Sequence, residues 1–160
     1  MNQTRALLTA WKAKDIPAIK RAIISGADCT RPLSVNEQSP LQIAAENSAL
    51  LPLLQLMLKS GADPNHSKND FPPLYYAIAS QNVKAIRLLA KYGADLNGSA
   101  GIKGTPLTLA VCTGSVVTVK CLLALGASPT LQDEKGGTPL RYAIEQHAAD
   151  IAALLIANVI

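Results

Sequence analysis

Two histidines, three cysteines and one glycine-rich stretch are the residues whose types suit catalysis, metal binding or phosphate binding. His66 and His147 fall in no His-x-x-x-His or Cys-x-x-Cys spacing, so the sequence sets up no shared metal ion. Cys29, Cys112 and Cys121 likewise lack metal-ligand spacing and make no even disulfide set. Lys120 adjoins Cys121 in the chain, but on a helix neighbouring residues do not face each other, so nothing basic is expected against Cys112 or Cys121 to favour a thiolate. All three read as small, partly buried thiols of a reducing compartment. Residues 98–105 carry the glycines and lysine of a phosphate loop, but Lys103 precedes Gly104 instead of following it, and no buried strand leads in. The sequence therefore points to a protein that is not an enzyme, with no cofactor and no metal.

Side chains suited to recognition are also present. Aromatic residues make up only 4% of the chain, yet Phe71, Tyr75, Tyr76 and Tyr92 fall close together. Interface hot spots favour aromatic anchors with adaptable polar neighbours, so the elements that position this group carry the question.

Those elements repeat. Pro-Leu recurs at Pro40-Leu41, Pro73-Leu74, Pro106-Leu107 and Pro139-Leu140, always 33 residues apart. Gly-Ala followed by Asp or Ser recurs in step at Gly26, Gly61, Gly93 and Gly126. In each unit the proline opens a short helix, where its missing N–H costs little. Asp15, Asn82 and Ser115 are expected N-caps of second helices, with Pro17 and Pro52 near two of those starts. The repeating glycines suit left-handed helix ends. Between Ser39 and Gly61 there is one residue more than in the other units, which predicts a bulge near residues 47–51.

These residues resemble the ankyrin repeat family. Its Thr-Pro-Leu-His-x-Ala signature is similar to Ser39-Pro40-Leu41-Gln42-Ile43-Ala44, Pro72-Pro73-Leu74-Tyr75-Tyr76-Ala77, Thr105-Pro106-Leu107-Thr108-Leu109-Ala110 and Thr138-Pro139-Leu140-Arg141-Tyr142-Ala143. The signature histidine is replaced every time, so its hydrogen bond must be made otherwise or lost. The family's Gly-Ala-Asp-x-Asn motif is intact from Gly61 to Asn65 and from Gly93 to Asn97, and ends in Thr30 and Thr130 elsewhere. The resemblance implies an all-α repeat solenoid of antiparallel helix pairs joined by hairpin loops. It divides the chain into units 1–33, 34–66, 67–99, 100–132 and 133–160, the first an N-terminal cap and the last a truncated C-terminal cap. Trp11 takes a position the family usually gives to Ala.

The resemblance also implies binding to another protein through loop tips and the exposed side of the first helices. In register those positions place Lys68, Asn69, Phe71 and Tyr76, with Ile102 on the next loop, at the centre of a patch. Glu46, Asn47, Ser80, Thr113, Glu134 and Lys135 extend it. Tyr75, in the histidine position, is expected to pack between neighbouring first helices instead, and Tyr76 and Tyr142 have the same alternative. The function expected is that of an adaptor or steric inhibitor, antitoxin-like or immunity-like, in the cytoplasm.

Charge and hydropathy rank the alternatives. The net charge is +4, distributed as +4, −2, +2, +2 and −2 along the five units. Lys12, Lys14, Lys20 and Arg21 make the first unit basic, a weak pointer to an acidic protein or lipid headgroup. Nucleic acid is disfavoured, because no basic stripe is interleaved with aromatics. Apolar runs fall short of the roughly 20 residues that span a bilayer, and the start of the chain lacks a charged region leading into an apolar one. The last helix, with Ile151, Leu154, Leu155, Ile156, Val159 and Ile160, is apolar on more than one side. That predicts self-association through the C-terminal unit, or a partner that covers it.

Overall fold

The computed structural model describes residues 3–33, 38–67, 71–98 and 104–159. They form ten α-helices and no strand: α1 (Gln3–Lys12), α2 (Ile16–Ile24), α3 (Pro40–Glu46), α4 (Leu51–Lys59), α5 (Pro73–Ala79), α6 (Val83–Lys91), α7 (Pro106–Cys112), α8 (Val116–Ala124), α9 (Pro139–Glu145) and α10 (Ala149–Ala157). No single helix among the described residues is long and apolar enough to cross a membrane.

Local sequence fixes the helix ends. Proline occupies the first turn of α3, α5, α7 and α9, and Ser39, Thr105 and Thr138 each accept a backbone N–H there. Ser39 and Gln42 complete a reciprocal capping box. The expected second-helix caps are present: Ala18 N donates to Asp15 Oδ1 (3.0 Å), Ala85 N to Asn82 Oδ1 (3.3 Å) and Thr118 N to Ser115 Oγ (3.3 Å). Each glycine after a second helix is left-handed, with φ of +82° at Gly26, +89° at Gly61, +88° at Gly93 and +97° at Gly126. The extra residue of the second unit becomes a 3-10 turn, Ser48–Leu50, between α3 and α4.

Pairs stack in order, α3 on α5 on α7 on α9, with α2, α4, α6, α8 and α10 forming the second layer. The signature leucines Leu41, Leu74 and Leu107 are fully inside, and Ala44, Ala77, Ala110 and Ala143 let successive first helices approach closely. Aliphatic side chains from both layers complete a continuous core. One pair departs from the pattern: α1 stands further from α3 than α3 stands from α5.

Polar ties knit the loops together. Asn65 Nδ2 donates to Gly93 O (2.9 Å) while its Oδ1 accepts from Asp95 N (2.7 Å). Asn97 Oδ1 accepts from Ser128 N (2.8 Å) in the next loop. Thr30 holds the same register but bonds back to Asp28. A depression of about 330 Å³ remains between Thr30 and the segment from Gly61 to Asp63. Thr30→Asn is expected to reach Gly61 O and Asp63 N and to raise stability by about 1 kcal/mol. Asn65→Ala is expected to lower it by about 1–2 kcal/mol. Urea denaturation checks both, and no gain from Thr30→Asn would mean that the asparagine ties add nothing.

Candidate functional site

Counting from the first residue of each signature and on past its end, the fifth and eighth positions lie three apart on a helix and so share a face. The fifth positions are Ile43, Tyr76, Leu109 and Tyr142, all half-buried. The eighth are Glu46, Ala79, Cys112 and Glu145, all exposed. Together they form the inner surface of the stack. Its middle is apolar, and a glutamate lies toward each end.

At that middle lies a groove of about 300 Å³ lined by Phe71, Tyr75, Tyr76, Ala79 and Leu109. Phe71 and Tyr75 are tilted by 41° with ring centroids 6.1 Å apart. Backbone ties hold the walls: Gln42 Nε2 donates to Phe71 O (2.8 Å), and Tyr75 Oη donates to Gly98 O (3.0 Å) and to Gly104 O. Gln42 and Tyr75 both occupy the histidine position of their units, so in these two units the side chain at that position bonds to the next loop. Tyr75 is buried, as expected for a packing residue. Tyr76 is half-exposed; burial raises its phenol above its ordinary pKa, against a hydrogen bond with Gln38 that lowers it. Gln38 Nε2 also donates to Glu46 Oε2 (3.0 Å).

The structure thus gathers Phe71 and Tyr76, and it adds Ala79 and Leu109. Lys68, Asn69 and Ile102 lie outside the described residues. Asn47 Oδ1 accepts from Ala49 N (2.9 Å), Ser80 Oγ donates to Tyr76 O (2.9 Å), and Thr113 Oγ1 donates to Ala110 O (2.8 Å). These three side chains are already engaged with nearby backbone. Glu134 and Lys135 are exposed in the last loop and form no wall of the groove. That loop is organised by Asp133, whose Oδ1 accepts from Lys135 N (2.9 Å) and Gly137 N (2.8 Å) and whose Oδ2 accepts from Tyr142 Oη (2.5 Å). The Tyr142 hydrogen bond leads in holding the Asp133 carboxyl below its usual range. Tyr92, near Phe71 in sequence, instead caps the end of α6 and packs against the core.

The thiols show no activation. Cys29 and Cys121 are buried and Cys112 is exposed. Burial pushes Cys29 up to about 12, helped by Asp28, and burial also raises Cys112 and Cys121. Among the described residues no group of three or more His, Cys, Asp or Glu is placed to hold a metal ion. What the arrangement offers is apolar burial with hydroxyl and amide groups around it.

Leu109 is the wall residue that sequence reasoning missed. Its signal was the recurrence of Ile43, Tyr76, Leu109 and Tyr142 at one signature position, which reads as core until the helix is seen to turn it inward across the stack. Tyr75→Phe is expected to cost about 1–2 kcal/mol, because it leaves two backbone acceptors without the phenol. Tyr76→Ala is expected to cost less than about 1 kcal/mol, since the residue is half-exposed. Equal losses in thermal or urea unfolding would overturn that division between a structural and a surface tyrosine.

A family model described as ankyrin repeats, in three copies, matches residues 7–100 and again 97–160. A mitochondrial disaggregase of Bos taurus is 34% identical over 145 residues, covering 88% of this chain and 21% of the relative. A mitochondrial disaggregase of Homo sapiens is 29% identical, covering 90% and 25%. Ankyrin repeat protein nuc-2 of Neurospora crassa is 32% identical over 114 residues, covering 70% of this chain and 11% of that protein. The chain thus spans a quarter or less of these curated relatives.

Proposed function

The chain belongs to the ankyrin repeat family, and from that footing we propose that it is a non-catalytic module that binds a protein partner across its inner surface. Ankyrin repeats are in general protein–protein interaction modules. The observation that carries the placement is the groove of Phe71, Tyr75, Tyr76, Ala79 and Leu109, an apolar depression at the middle of a surface with Glu46 and Glu145 toward its ends. A partner inserts an apolar anchor there. Glu46, Glu134 and Lys135 supply polar groups toward the ends, and by sequence register alone the proposed patch takes in Lys68, Asn69 and Ile102.

Such a module acts as an adaptor or as a steric inhibitor in the cytoplasm. Laying the inner surface over a partner's own working face suits inhibition, including an antitoxin-like or immunity-like role. The proposal rests on the repeat segment shared with the disaggregase relatives and not on the reaction in their names, because only 21% and 25% of their lengths are matched. The test is affinity capture from the native lysate with the parent chain and with the Phe71→Ala/Tyr76→Ala variant, followed by calorimetry on the purified pair. The expected loss is roughly 30-fold or more in affinity. A change within a factor of two, in a variant whose melt shows it folded, would move the site elsewhere.

A specific observation favours a second role. Ile144 is 60% exposed, whereas Ile78 and Val111 in the same register of α5 and α7 are fully covered by the following unit. Ile156 and Val159 are 51% and 53% exposed. These exposed residues give the last unit apolar surface suited to self-association. The expected result is a mass that rises with concentration in sedimentation equilibrium and returns to monomer in Ile144→Ser/Ile156→Ser. A monomer throughout the concentration series would rule it out.

A further inference from the structure

The largest departure from the repeat lies between the first two units, away from the groove above. In units two to four the residue just after the signature is Ala45, Ile78 or Val111, each fully buried between successive first helices. The first unit puts Trp11 there. An indole is too large for a slot that otherwise takes an alanine or an aliphatic chain. Trp11 remains half-exposed, and α1 stands off from α3. The second departure is the added residue of unit two, which makes the 3-10 turn Ser48–Leu50. Residues 11 and 48–50 are remote in sequence, yet both departures open onto one cleft. It measures about 450 Å³ and is lined on one side by Trp11, Lys12, Lys14, Ile16 and Ile19, and on the other by Ile43, Asn47, Leu50 and Leu53.

The cleft has an apolar floor and a basic mouth. Ile19 and Leu53 are buried, while Trp11, Ile43 and Leu50 are half-buried and present apolar surface to an entering group. Lys12 and Lys14 are exposed at the edge. The one ion pair among the described residues is Arg141–Glu145, far along the stack, so no described carboxylate is paired with either lysine. Asp15, the acid nearest to them in sequence, is turned to its own helix, where it accepts from Ala18 N. The first unit as a whole holds six Lys or Arg against two acids.

We propose that this cleft is a second docking site, which takes a short acidic segment of a partner protein with one or two apolar side chains laid over Trp11. The argument for that occupant is complementarity: uncompensated lysines at the rim select carboxylates, and the Trp11–Leu50 floor selects the apolar side chains between them. The cleft opens at the helix-break end of the units, because antiparallel pairing puts the breaks and the loops at opposite ends of the helices. The tie from Asp28 N to Thr4 Oγ1 (3.1 Å), joining the loop after α2 to the start of α1, shows that arrangement. A segment seated here leaves the Phe71–Tyr76 groove open, so the chain can hold two partners at once.

Trp11 is the only tryptophan in the chain, so its fluorescence reports on this cleft alone. The experiment titrates the full chain with a synthetic peptide that alternates Glu with Leu and Phe, and with the same peptide carrying Lys for Glu. The expected result is a saturable blue shift of Trp11 emission with the acidic peptide only, weakened roughly tenfold by Lys12→Glu/Lys14→Glu. Both lysines are exposed, so this charge reversal leaves the core intact. The Phe71→Ala/Tyr76→Ala variant is expected to respond as the parent does, which separates this site from the inner surface. No shift with the acidic peptide, or an equal shift with the basic one, overturns the proposal. A shift with phosphatidylserine vesicles but not with the peptide also overturns it, in favour of a membrane-contact face.

Discussion

Helices of seven and nine residues do not hold together alone in water, because nucleation is costly and isolated helices shorter than about 12–15 residues are marginal. Every helix among the described residues is ten residues or shorter. Each therefore depends on the neighbouring unit that covers its apolar side, and stability is a property of the junctions between units. That dependence explains where variation is tolerated. Alanine recurs at Ala44, Ala77, Ala110 and Ala143 because the first helices meet there, whereas the adjoining fourth and fifth signature positions vary freely in size. It also explains why side chains are spent tying one unit to the next. Asn82 caps α6 and at the same time donates through Nδ2 to Ala45 O (3.1 Å) in the unit before.

Much of this was legible in the sequence, because the signals are local. Caps, prolines and closing glycines depend on a few consecutive residues, and Asp15, Asn82, Ser115 and Gly93 behave as their types require. The bulge was legible as a count, since one extra residue has to go somewhere. What lies across a junction was harder to read. That Tyr75 would bond to Gly98 and Gly104 needs the next loop in place, and nothing beside Tyr75 in the chain announces it. The candidate site was half legible. Phe71 and Tyr76 stood out by rarity, but Leu109 is one leucine among many until the stacking sets it beside Tyr76. The cleft at Trp11 was out of reach for the same reason. An unusual tryptophan and an unusual insertion were both visible, and only the junction between units one and two relates them.

The same accounting separates surface that is spent from surface that is free. Ser80, Thr113 and Asn47 look like recognition residues by type, yet each has a hydrogen bond to nearby backbone. Small hydroxyl and amide groups at helix ends find backbone partners readily, because a first turn presents free N–H groups and a carbonyl of the last turn can accept a second bond. Aromatic and aliphatic side chains spend no hydrogen-bonding capacity in this way, and the apolar surface that they expose can be buried by a partner. On the proposed inner surface, recognition is therefore assigned to Phe71, Tyr76 and Leu109, with the polar positions around them setting shape more than hydrogen bonding.

The two ends of the stack then follow different physics. At the first junction the apolar surface is edged by Lys12 and Lys14, so a partner there gains from charge as well as burial, and the charge part fades with salt. Around the central groove no lining residue is charged, and binding there rests on burial, which salt screens little. At the last unit Ile144 keeps the apolar character that Ile78 and Val111 have inside the stack, in a place where nothing among the described residues covers it. It is an interior face turned outward, and its chemistry asks for another apolar surface and not for a charged one. The three proposed surfaces thus differ in what they would select, because each departs from the common repeat in a different way: by a tryptophan with an inserted residue, by aromatic side chains at inner positions, and by an interior residue type kept where no described residue covers it.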